Sequence, residues 1–128
     1  MSVTFEAATR QFCAQFNADL LTAVSPEELE VNMSSANAVV VCAALGIDLE
    51  EEGWCGSLPA ADFLGRVLVA LAVSPTDPGV PTHELPREPG QVRWIECGRR
   101  EGYTQERLSQ LRELADWAIA HNAEISFG

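Results

Sequence analysis

Along the first sixth of the chain, apolar residues recur at steps of three and four. Phe5, Ala8, Phe12, Phe16 and Leu20 form one stripe, which predicts an amphipathic helix over 5–21 with Thr4 as its N-cap. Ser25-Pro26-Glu27-Glu28 then reads as a turn or a single helical turn. Glu30-Val31-Asn32-Met33 alternates polar with apolar and predicts a short strand.

The segment SSANAVVVCAALG carries opposing signals. Branching at Cβ in Val39-Val40-Val41 favours a strand. The flanking alanines, a serine cap at Ser34 or Ser35 and a closing Gly46 favour a helix over 35–45. That helix is apolar almost all round, which predicts a central position. Ile47 to Gly53 holds four acids in seven residues and reads as a solvated connection. Ser57 as cap, Pro59 in the first turn and Asp62 near the positive end predict a helix over 59–73. Phe63, Leu64, Val67, Leu68 and Leu71 line its inner face.

Ser74 to Gly90 contains five prolines and two glycines and reads as a long structureless loop. Alternation over Gln91–Cys97 predicts a strand at 92–97. A helix over 104–121 follows, burying Leu108, Leu111, Leu114, Ala115, Ala118 and Ile119, with Trp117 at its edge. AEISF supplies a last strand at 123–127, expected to pair with 92–97 in either direction. The sum is an α+β fold: one domain over 1–128, four helices, a short two- or three-stranded sheet and a proline-rich loop at 74–90.

At 47% hydrophobic and 21% charged residues, the chain supports a core without a metal or disulfide. Cys13, Cys42, Cys55 and Cys97 are scattered, with no CxxC pair. With no signal peptide evident, they are expected to be reduced, metal-free and cytoplasmic. The longest apolar run, within Ala36–Leu45, is too short to span a bilayer.

Charge changes the picture most. Lysine is absent, and eight arginines face nineteen acids for a net charge of −11. Residues 1–62 hold ten of those acids and only Arg10 as a base. This argues against nucleic acid or anionic membrane as a partner, since such binding rests on neutralised phosphates. It favours a basic protein, with Glu27, Glu28, Asp48, Glu50, Glu51 and Glu52 as the candidate contacts.

The stretch CGRREGYT has two readings. In one, Gly98 ends a strand, Gly102 takes a left-handed turn and Thr104 caps the next helix, while Arg99 and Arg100 are solvated. In the other, the first-turn amides and the two guanidiniums hold an anion or small ligand. That site would comprise Arg99, Arg100, Gly102, Tyr103 and Thr104, with Asn32 and Asn37 as a second polar wall. The stretch fits neither a P-loop nor a dinucleotide fingerprint.

No catalytic constellation emerges. His83 lies in the proline-rich segment and His121 at a helix end, neither with a nucleophile or metal-ligand spacing, and the acid runs lack EF-hand spacing. No cofactor is expected. Three functional classes follow: a small acidic protein-binding module of the inhibitor or immunity type, an anion-binding module at Gly98–Thr104, and a small enzyme whose site assembles only in space. Charge favours the first, and an enzyme is the least favoured.

Overall fold

The structure, a computed structural model, describes residues 1–73, 83–84, 95–96 and 101–128. In chain order the elements are β1 (Ser2–Cys13), β2 (Ala18–Ala23), a 3-10 turn (Glu27–Leu29), β3 (Val31–Ser34) and α1 (Ser35–Ala44). Then come α2 (Leu49–Glu52), β4 (Gly56–Pro59), α3 (Ala60–Val73), β5 (His83–Glu84), β6 (Ile95–Glu96), α4 (Tyr103–Ala120) and β7 (Glu124–Phe127). The class is α+β, with four helices among the described residues, but the sheet has five strands where two or three were expected.

The largest correction is at the N-terminus: 5–21 is a β-hairpin and not a helix. The stripe Ala8, Phe12, Phe16, Leu20 advances by four, a step that nearly satisfies the 3.6-residue helical period and also satisfies the two-residue period of a strand. What settles the segment is backbone pairing. β1 binds β2 and β3 along one edge and β7 along the other, all antiparallel. Val3, Phe5 and Ala7 alternate inward along β1, and Thr4, the expected cap, is a strand residue paired with Asn32. Asn17, at φ 47°, supplies the left-handed residue that returns the chain into β2.

β7 completes the sheet between β1 and β4. It does not pair with 95–96: β6 pairs instead with β5, in a separate ribbon. β5 falls within the segment expected to be structureless, and the rest of the 74–90 loop and of the 92–97 strand lies outside the described residues.

One face of the five-stranded sheet carries the helices. Phe5 is fully buried there, with ring centroids 6.1 Å from Phe63 on α3 and 5.7 Å from Phe127 on β7. Ile125, Val31 and Met33 add to that face, and Leu108, Leu111, Leu114, Ala115 and Ala118 of α4 cover it. Such aromatic and aliphatic burial dominates the stability of a domain this size. The opposite face bears Ser2, Thr4, Glu6, Asn32, Ser57, Glu124 and Ser126 by strand alternation. On it Asn32 Nδ2 donates to Thr4 Oγ1 at 2.7 Å, and Arg10 pairs with Glu124 at 3.0 Å.

Several helix boundaries follow from their caps. Ser34 Oγ accepts from the Asn37 amide to start α1. Gly46, at φ +75°, ends it: the Gly46 amide donates to Ala43 O and the Ile47 amide to Cys42 O, the Schellman pattern. The same pattern closes α4, with Asn122 at φ 54° and the Ala123 amide on Ala118 O.

Four further expectations change. α1 is a surface helix rather than a central one: Ala38, Val41 and Cys42 are buried, while Ala36, Val40, Ala43 and Ala44 face water, where alanine is tolerated. The acidic 47–53 segment is not merely solvated, because Ile47 and Leu49 are buried and Asp48 caps the single turn α2 through the Glu50 and Glu51 amides. Ser57 and Pro59 belong to β4, and α3 begins at Ala60; proline is compatible with this strand because β4 lies at the sheet edge. Leu68 of α3 and Ile119 of α4 are exposed rather than buried, and the cap position of α4 is held by Gly102, without a side-chain cap.

Candidate functional site

The packing of α4 beside the chain that enters β3 creates a polar groove. The 3-10 turn and the start of β3 supply Glu28, Leu29, Glu30 and Val31; α4 supplies Arg107, Gln110 and Glu113 at three-residue steps along one side. The cavity is about 170 Å³. Three carboxylates thus line it against one guanidinium.

That guanidinium is already engaged. Arg107 Nη1 donates to Gln110 Oε1 at 2.8 Å, and its Cζ stands 5.1 Å from the centre of the Tyr103 ring, a cation–π distance. Its Nε is buried with no acceptor among the described residues. Held this way, Arg107 partly offsets its acidic neighbours but leaves the groove net negative.

A second cleft lies between α1 and α2. Val39, Ala43, Ile47 and Leu49 form its apolar lining, and Asp48, Glu50 and Glu52 add the charge. The candidate acids are therefore split between two clefts: Glu28 joins the α4 groove, while Asp48, Glu50 and Glu52 line the other. Glu27 and Glu51 are exposed.

The polar walls expected of a ligand site separate as well. Asn32 points to the sheet face opposite α4, bonded to Ser2 and Thr4, while Tyr103 and Thr104 belong to α4. The Asn37 amide is used in capping α1. Gly102 has the expected left-handed φ of 75°, but Thr104 is buried inside the helix rather than capping it. Arg99 and Arg100 lie outside the described residues.

Among the described residues there is no group of three or more histidine, cysteine, aspartate or glutamate side chains placed to hold a metal ion, and no helix long and apolar enough to cross a membrane. Cys13, Cys42 and Cys55 are free. Burial pushes the Cys42 thiol up to about 12, so it is an inert core residue and not a nucleophile. His121 ends α4 with its ring stacked 3.8 Å from Trp117 and Nδ1 donating to the Trp117 carbonyl at 2.8 Å; His83 lies in β5.

Glu30 belongs to the acidic run expected from sequence at 27–30, but Arg107, Gln110 and Glu113 were not singled out. The spacing of the three α4 residues shows that they share a side of the helix, but nothing local shows that this side meets the Glu27–Leu29 turn. Comparison with protein-family models, with curated proteins and with solved structures finds no match to this chain.

Proposed function

We propose that this chain is a protein-binding module that receives a basic side chain of another protein in the groove between the Glu27–Leu29 turn and α4, as an inhibitor or immunity protein would against a basic enzyme. The observation that carries the reading is the groove's composition: Glu28, Glu30 and Glu113 surround a single arginine already held by Tyr103 and Gln110. The net charge of −11 supports it, because a field of that sign speeds encounter with a basic partner and disfavours acidic ones. The cleft with Asp48, Glu50 and Glu52 serves in this reading as a steering surface rather than as the anchor.

The test begins with capture of partners from the native host at low and moderate salt, followed by binding kinetics of the captured protein. Joint reversal of Glu28, Glu30 and Glu113 to lysine is expected to raise the dissociation rate at least tenfold. Reversal of Asp48, Glu50 and Glu52 is expected to slow association and weaken its salt dependence. A partner held equally well by the first triple variant would refute the groove as the anchor. If millimolar phosphate at constant ionic strength raises the melting temperature while no basic partner binds, the anion-binding alternative gains.

A further inference from the structure

The distal part of the β1–β2 hairpin forms an arm whose residues are mostly exposed. Every residue of β2 is exposed, and so are Phe12, Phe16, Leu20 and Leu21, the two phenylalanines by 67% and 64%. β2 ends the strand order among the described residues, so its outer edge presents backbone donors and acceptors to no neighbouring strand. Edges of this kind are ordinarily protected by lysine, proline or a bulge. ADLLTA has neither residue, and its register with β1 runs unbroken from Ala18 opposite Cys13 to Ala23 opposite Ala8.

We propose that the chain forms a two-fold dimer in which β2 of one copy pairs antiparallel with β2 of a second. Charge selects this occupant. Residues 11–26 carry one charge, Asp19, in a chain of net charge −11. Two copies therefore repel where most of their acids meet, but hardly at all along the arm. A basic foreign partner, by contrast, finds almost nothing on the arm to pair with.

Symmetry then narrows the register, and keeping the two Asp19 carboxylates apart places Leu21 rather than Leu20 on the axis. A two-fold axis normal to the sheet keeps each face on its own side, so only residues of the same parity can stand opposite each other. With Leu21 on the axis it meets its own counterpart, Leu20 meets Thr22, and Asp19 meets Ala23 of the second copy. The two aspartates are then about 13 Å apart along the strands at 3.3 Å per residue. That face also carries Phe12, opposite Asp19, and Arg10, opposite Leu21 and paired with Glu124. Alternating Leu–Leu and Leu–Thr contacts across such a ladder are the ordinary units of sheet stabilisation.

Sedimentation of the full chain across the micromolar range tests this, together with Leu21→Lys, and with Leu68→Lys as a control at an exposed leucine of α3. The expected mass is twice 13.9 kDa for the native chain and for Leu68→Lys, and 13.9 kDa for Leu21→Lys with an unchanged far-ultraviolet circular dichroism spectrum. A second readout does not depend on a destabilising charge. With Cys13, Cys55 and Cys97 replaced by serine, Leu21→Cys should cross-link under mild oxidation far faster than Leu20→Cys. A native chain that sediments as a monomer throughout would overturn the proposal. So would a dimer that Leu21→Lys leaves intact, or equal cross-linking at the two positions.

Discussion

Replacing Gly46 with alanine probes a junction where local and tertiary forces meet. Gly46 ends α1 at φ +75°, where a Cβ crowds the backbone, and left-handed geometry costs an alanine about 1 kcal/mol. A second cost comes from a neighbour distant in sequence. A Cβ at this position would stand 3.2 Å from Nη1 of Arg66, the atom that donates to the Leu45 carbonyl at 2.9 Å. Displacing that half-exposed guanidinium forfeits a charge-assisted bond, worth about 1 kcal/mol after allowing for solvent. The sum is about 2 kcal/mol, or a melting temperature lower by roughly 8 °C for a domain of this length. Urea unfolding at fixed protein concentration should be run on Gly46→Ala, Arg66→Met and the double variant. Because both changes act on one contact, the double variant should lose about 1 kcal/mol less than the sum of the singles. Additivity within about 0.3 kcal/mol would refute the role of Arg66. A Gly46→Ala cost below about 0.5 kcal/mol would refute the left-handed strain as well.

Three other outcomes are expected. The buried Cys42 thiol stays protonated in the folded chain while the unfolded one ionises from about pH 9, so the folded state binds more protons and stability falls as pH rises from 9 toward 12. The slope should be about 1 kcal/mol per pH unit steeper in the native chain than in Cys42→Ala, and thiol reagents should modify Cys55 well before Cys42. Asn122→Gly should stabilise the chain by a few tenths to about 1 kcal/mol in the same urea assay, because the left-handed residue that closes α4 is better suited to glycine. Phe63→Ala should cost about 3–5 kcal/mol by emptying the site against Phe5, whereas Arg10→Ala should cost under about 1 kcal/mol, since its bridge to Glu124 is exposed.

Short-range signals identified the elements whose caps lie in adjacent residues. Ser34 and Gly46 bracket α1, and the Glu27–Leu29 turn and β3 follow from local pattern, whereas the cap of α4 fell on Gly102 instead of Thr104. Burial along α4 followed its apolar period except at Ile119. The candidate groove was legible only in part: the acidic run 27–30 stood out, while Arg107, Gln110 and Glu113 did not, because their meeting with it depends on how α4 docks beside the chain entering β3.

The sequence by itself determined the charge field, the positions of most helix ends and the apolar residues available to a core, because each depends on residue type and near neighbours. Only the tertiary structure decided that 2–13 and 18–23 are strands. Their spacing of four is compatible with either backbone, and the choice falls to hydrogen bonds with β3 and with β7, the latter more than a hundred residues away in the chain. The same dependence on distant pairing hid the five-stranded sheet and the exposed edge of β2. A strand's partners are set by backbone groups that every residue carries, so its local sequence encodes that it is extended far more clearly than what it lies beside.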